Sequence, residues 1–153
     1  GGESSVLTFE APPRITLGRA EGLLLLTTLD EKVRLLETLG VDNVIVIPFD
    51  RTFSALSGEE FVREYLLRRL GARTLVVGYD HRFGHDRIGR DAIAGLGLRV
   101  VRVDGCEVGG AAVSSSVMRR LIAEGRIAEA ERLLGHPVSE SVRRSCTPEK
   151  HVR

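Results

Sequence analysis

Short runs of aliphatic and β-branched residues alternate with longer segments whose apolar positions recur every three or four residues. Ser5-Val6-Leu7-Thr8-Phe9 reads as a strand, and Ala11-Pro12-Pro13 stops it because proline neither donates to a ladder nor continues a helix. After a polar loop through Gly18 and Gly22, Thr28 and Glu31 have the spacing of a capping box. Leu29, Val33, Leu36 and Leu39 then mark the buried stripe of a helix that Gly40 ends. Val44-Ile45-Val46-Ile47 is apolar without alternation, which predicts a strand covered on both faces, and Pro48 closes it. Ser57 and Glu60 form a second capping box ahead of a stripe at Phe61, Tyr65, Leu66 and Leu70 that runs to Gly71.

The alternation continues with a doubly buried strand over Thr74–Val77, a polar loop over Gly78–Gly89 and a short helix around Asp91–Leu96. A strand over Leu98–Val103 follows, then an extended stretch over Val108–Val113. Two helices are expected over Ser115–Ala123 and Ile127–Leu134, with Gly125 and Gly135 as stops. Residues 137–153 are polar, contain Pro148 and show no periodicity, so they read as a flexible tail. Strands alternating with helices predict an α/β fold: a Rossmann-like, mostly parallel sheet with right-handed crossovers and helices on both faces.

Composition narrows the class. A chain of 153 residues with 42% hydrophobic content suits one domain with one core. Lys+Arg 22 against Asp+Glu 21 leaves a net charge of +1, and the basic residues are scattered, which argues against nucleic acid as a partner. No apolar run approaches the length of a membrane span, and no signal-peptide pattern opens the chain, so a cytoplasmic location is expected. Cys106 and Cys146 lack metal-ligand spacing and are expected as reduced thiols. The chain opens Gly1-Gly2 and its one methionine is Met118, so a preceding segment is expected to have been removed.

Two polar segments following apolar runs carry the candidate chemistry. Ser114, Ser115 and Ser116 enter a helix with Arg119 one turn further on, and such a start can present hydroxyls, backbone N–H groups and a guanidinium fork to phosphate oxygens. The alternative is an ordinary serine N-cap with a solvated arginine. In Gly78-Tyr79-Asp80-His81-Arg82-Phe83-Gly84, Asp80 and Arg82 offer polar contacts and Phe83 a surface for a ligand's ring, while Gly78 and Gly84 can equally serve turn geometry. His81 and His85 have Asp86 as their one close carboxylate and no third ligand, so no metal site is expected. Asp104, Cys106 and Glu107 read as turn and surface residues, and Arg68, Arg69 and Arg73 as solvated.

Taken in order, five segments form one collinear set. They are Leu7-Thr8-Phe9-Glu10 with Pro13-Arg14, Leu26-Thr27-Thr28-Leu29-Asp30-Glu31-Lys32, Val46-Ile47-Pro48-Phe49-Asp50, Val77 to Gly84, and Val113-Ser114-Ser115-Ser116 to Arg119. Over about Ser5 to His136 the chain resembles the adenylyltransferase module of bacterial bifunctional riboflavin kinase/FAD synthetase, within the HIGH-motif nucleotidyltransferases. The resemblance implies a nucleotidyltransferase-type domain over residues 1–136 that transfers AMP from ATP to FMN, giving FAD and pyrophosphate, with Mg²⁺ as the usual metal. It also implies a riboflavin kinase domain in the parent protein and no membrane partner. Ser114, Ser115, Ser116 and Arg119 correspond to the family's phosphate-contacting Ser-Ser-Thr-x-x-Arg segment. Asp80, Arg82 and Phe83 correspond to its Asp-Phe-Arg-Phe-Gly segment beside flavin and nucleotide, and Phe9 and Pro13 to Thr-Phe-x-Pro-His-Pro near the substrates.

The departures are specific. Ala11-Pro12-Pro13 replaces Pro-His-Pro, His81 replaces a phenylalanine, and Ser116 and Val117 replace a threonine and a basic residue. The family's leading Gly-x-Phe-Asp-Gly-x-His-x-Gly-His segment, which carries its catalytic histidines, is not among these residues, so no catalytic residue is assigned. These 153 residues alone are expected to transfer little or no AMP. A non-catalytic flavin- or nucleotide-binding module is the alternative reading. A different acceptor, such as pantetheine phosphate or nicotinate mononucleotide, is a third.

Overall fold

A computed structural model describes residues 2–11, 18, 24–79 and 81–146. Packing divides the chain into two compact units, one comprising Gly1–Pro48 with Cys106–Arg153 and the other Phe49–Gly105.

In the first unit, strand β1 (Ser5–Phe9) occupies the residues the pattern predicts and pairs in parallel with β2 (Asn43–Ile47), in the register Val6↔Val44 and Thr8↔Val46. Helix α1 (Leu29–Thr38) connects them. Its capping box closes in both directions: the Thr28 hydroxyl accepts from the Glu31 amide at 3.2 Å, and the Glu31 carboxylate accepts from the Thr28 amide at 2.8 Å. Lys32, one turn in, donates from Nζ to the Thr8 hydroxyl at 3.0 Å and ties the helix to β1.

The core of this unit is helical. Helices α5 (Ser115–Ala123), α6 (Ile127–Leu134) and α7 (Glu140–Cys146) bring together Met118, Leu121, Ile122, Ala130, Leu133, Val138 and Val142. Residues 138–146 were expected to belong to a flexible tail. They are instead held by apolar anchoring, with Val138 and Val142 each under 5% exposed, and by Arg143, which reaches both the Val138 carbonyl and the Glu131 carboxylate. Residues 147–153 lie outside the described residues. The stretch before α5, expected to be simply extended, is a two-stranded antiparallel hairpin of β5 (Glu107–Val108) and β6 (Ala111–Ala112). Gly109 and Gly110 turn it at φ 58° and 77°.

In the second unit, Asp50 caps the short helix α2 (Arg51–Ser54), which the apolar pattern did not suggest. Helix α3 starts at the predicted second capping box of Ser57 and Glu60 (Gly58–Phe61) and continues with π-type hydrogen bonding over Val62–Arg69. Of the predicted stripe Leu66 is buried while Leu70 is 40% exposed, and Val62, outside the stripe, is the most deeply buried residue of the helix. Strands β3 (Thr74–Gly78) and β4 (Arg99–Val103) pair in parallel, linked through helix α4 (Arg90–Ala94).

The expectation that β3 is buried on both faces does not hold. Val76 and Val101 stand opposite each other in the register on one face, 61% and 36% exposed, with Val103 at 52% on the same side. The described strands thus form three two-stranded ladders, of which the two βαβ pairs are parallel as expected for the α/β class. Among the described residues no helix is long and apolar enough to cross a membrane.

Candidate functional site

The serine-led segment opens α5 as expected. Ser114 is the N-cap in extended conformation, and its hydroxyl accepts from the Val117 amide at 3.3 Å while its carbonyl accepts from Met118 at 3.0 Å. The amides of Ser115 and Ser116 are then helix-start donors without an acceptor among the described residues, and all three serines are exposed. Arg119 is half-buried, with its Nε donating to the Leu24 carbonyl at 2.7 Å. That bond fixes the stem of the guanidinium and leaves its terminal nitrogens without a partner among the described residues. The result is two amides and three hydroxyls at the positive end of a helix dipole, with a fixed cation one turn along, which suits an anion.

Phe9, in the same unit, ends β1 and is half-buried. Pro13 and Asp80, both read from sequence as site residues, lie outside the described residues.

The Arg82 loop belongs to the second unit. Residues 83–88 form a tight hairpin: Phe83 and Ile88 exchange backbone hydrogen bonds at 3.2 and 3.0 Å, and Arg87 takes a left-handed φ of 54°. Arg82 is exposed, and its guanidinium crosses Gly89, where an added Cβ would meet Nη1 at 2.5 Å. Phe83 is buried at 8% exposure, with its ring stacked on Phe61 at 6.0 Å and 17° and the edge of His81 against it at 4.3 Å. Phe61 and Tyr65 in turn meet Phe53, and the Arg69 guanidinium lies 4.6 Å above Tyr65, so Arg69 is more than a solvated surface residue.

Sequence reasoning offered Phe83 to a ligand without seeing that Phe61 already takes one face of it. It also passed over Asp86, whose carboxylate accepts from the Gly58 amide at 2.8 Å. No local spacing signalled this bond, because the Gly58 amide lies far from Asp86 in the chain.

Among the described residues three carboxylates are held below their usual range by hydrogen bonds, two of them in the capping boxes. Glu31 and Glu60 sit below the usual carboxylate range, chiefly because each accepts the backbone amide of its N-cap, Thr28 and Ser57. Asp42 is lowered by the Ser4 amide and hydroxyl. Among the described residues no three His, Cys, Asp or Glu side chains group as a metal site. Cys106 is exposed and free. A cavity of about 240 Å³ in the first unit, lined by residues that include Leu26, Arg34, Leu35 and His136, contains none of the sequence-predicted site residues.

Parallel βαβ pairing defines an α/β protein, consistent with a nucleotidyltransferase-type fold. A solved structure described as a macrolide-efflux protein from Streptococcus pneumoniae shares the fold, with a TM-score of 0.80 and 28% identity over 89% of this chain and 46% of that one. A family profile described as FAD synthetase matches residues 1–117. The bifunctional riboflavin kinase/FMN adenylyltransferase of Escherichia coli is 36% identical over 143 residues, 90% of this chain and 46% of the relative. That of Listeria monocytogenes is 34% identical over 142 residues, 90% of this chain and 45% of the relative. The chain belongs to the FAD synthetase family, and it spans a little under half the length of these two relatives.

Proposed function

We propose that this chain supplies the substrate-orienting part of an FMN adenylyltransferase, which joins ATP and FMN into FAD and releases pyrophosphate. The observation that carries the reading is the start of α5, where the exposed Ser114, Ser115 and Ser116 and the tethered Arg119 offer an array of donors matched to a polyphosphate.

In such a displacement a phosphate oxygen of FMN attacks the α-phosphorus of ATP. The bond to the bridging oxygen of pyrophosphate breaks, and the electron pair leaves with it. Most of the catalytic work is alignment and stabilisation of charge on non-bridging and leaving oxygens. Ser114, Ser115, Ser116 and Arg119 hold the ATP phosphates, while Arg82, Asp80, Phe83, Phe9 and Pro13 serve the flavin and nucleotide side. Mg²⁺ would arrive on the nucleotide, since the described residues offer no three-ligand cage and this ion is commonly held by substrate phosphates with one or two carboxylates. The proposal includes a cytoplasmic location and, in the parent protein, a riboflavin kinase partner domain as in the relatives' names.

A second reading, binding without turnover, is favoured by one observation: Ala11-Pro12-Pro13 stands where the family pattern has Pro-His-Pro. Titration of the chain with FMN and with MgATP, followed by a chromatographic assay of FAD formation, tests both. Saturable uptake of the two ligands is expected. Uptake of neither would overturn the proposal, and FAD formation at an ordinary enzymatic rate would exclude the binding-only reading.

A further inference from the structure

The hairpin behind Arg82 is locked onto the first turn of α3 with no spare volume. The Asp86 carboxylate accepts from the Gly58 amide at 2.8 Å, and the Leu56 carbonyl accepts from the His85 amide at 3.0 Å. A Cβ on Gly58 would meet the Phe83 carbonyl oxygen at 2.9 Å and run into the Ile88 side chain, while one on Gly84 would run into the backbone of Gly58 and Ser57. Below this contact the Phe83 ring stacks on Phe61, from the same first turn of α3. The hairpin and the helix start therefore meet backbone to backbone, and Asp86 supplies the side-chain hydrogen bond across that contact.

We propose that Asp86 is a positioning residue for the flavin-side loop: by holding the 83–88 hairpin on the first turn of α3 it sets where the exposed Arg82 presents its guanidinium to the ligand. This rests on the flavin reading of the loop given above. Asp86 touches no ligand in this role. It acts through the Gly58 amide, and any side chain that keeps an acceptor at that point can substitute for it.

The test uses the full chain with Asp86→Ala and Asp86→Asn, measuring FMN affinity by quenching of flavin fluorescence and MgATP affinity by calorimetry. Amide exchange at Gly58 and His85 is followed in the absence of ligand. Asp86→Ala is expected to weaken FMN binding about tenfold, to leave MgATP affinity unchanged and to raise exchange at both amides, and Asp86→Asn to restore all three. Unchanged FMN affinity in Asp86→Ala, or equal loss of both affinities, would overturn the positioning role. If the wild-type chain takes up no flavin, the flavin reading fails on its own. The exchange data then decide the latch: faster exchange in Asp86→Ala supports it and unaltered exchange overturns it.

Discussion

Arg119 and Leu24 stand 95 positions apart in the chain, yet the arginine Nε donates to the leucine carbonyl at 2.7 Å. The bond uses the one guanidinium nitrogen that lies on the stem, so the side chain is held along one line while its forked end has no partner among the described residues. A lysine at this position would keep the charge and lose both the tether and the fork. Arg119→Lys is therefore expected to weaken MgATP binding about tenfold and to lower unfolding free energy by about 1 kcal/mol, read by calorimetric titration and urea denaturation.

Gly84 and Gly71 both adopt left-handed backbone, φ 72° and 60°, but their surroundings differ. A Cβ at Gly71 meets open space, whereas at Gly84 it meets the Gly58 and Ser57 backbone. Gly71→Ala should cost about 1 kcal/mol from conformation alone. Gly84→Ala should cost about 2–4 kcal/mol, because neighbouring backbone must also move. Chemical denaturation of the two variants side by side checks the ordering.

Gly89 presents the opposite case, with an ordinary φ of −94° and the flexible end of Arg82 filling the space above it. Alanine there is conformationally acceptable and pushes the Arg82 guanidinium elsewhere. Gly89→Ala is expected to change stability by less than about 0.5 kcal/mol and to weaken FMN binding about threefold to tenfold, with MgATP binding unaffected. Equal weakening of both ligands, measured by the same titrations, would contradict it.

Acid should unfold the protein partly through its hydrogen-bonded carboxylates. Glu31, Glu60 and Asp42 all have folded-state values depressed below 4.5, 4.5 and 3.8 by hydrogen bonds that only the ionised forms accept fully. Their contribution is complete above those ordinary values and disappears as pH falls through the depressed ones, so the melting temperature should drop across and below that window. Replacing Glu31 and Glu60 together with Gln should flatten the acid limb of a melting-temperature profile. Thr28→Ala and Ser57→Ala should each cost about 1 kcal/mol at neutral pH.

Much of the local structure was legible in the pattern of residues. Both capping boxes, at Thr28–Glu31 and Ser57–Glu60, close as their spacing predicts, and β1 and α5 span the expected residues. A cap is decided within four residues, so it is written out in full wherever the chain writes the right side chains. Helix α7 was missed because its signal is only two apolar residues, Val138 and Val142, in a polar stretch. Their burial depends on α5 and α6 already providing a surface. The exposed face of β3 and β4 was missed for the converse reason: a run such as Leu75-Val76-Val77 is apolar whether one face is covered or two.

The order of elements, the α/β class and the serine and arginine-phenylalanine segments follow from residues acting on near neighbours, through periodicity, capping and turn geometry, and the amino-acid sequence by itself determined these. Which side chains meet across tens of positions was decided only by the tertiary structure. Arg119 finds Leu24, Phe83 turns inward onto Phe61 instead of outward, and Asp86 captures Gly58. The physical reason is that such contacts depend on how separately formed elements pack, and no local spacing encodes the distance between two backbones folded against each other.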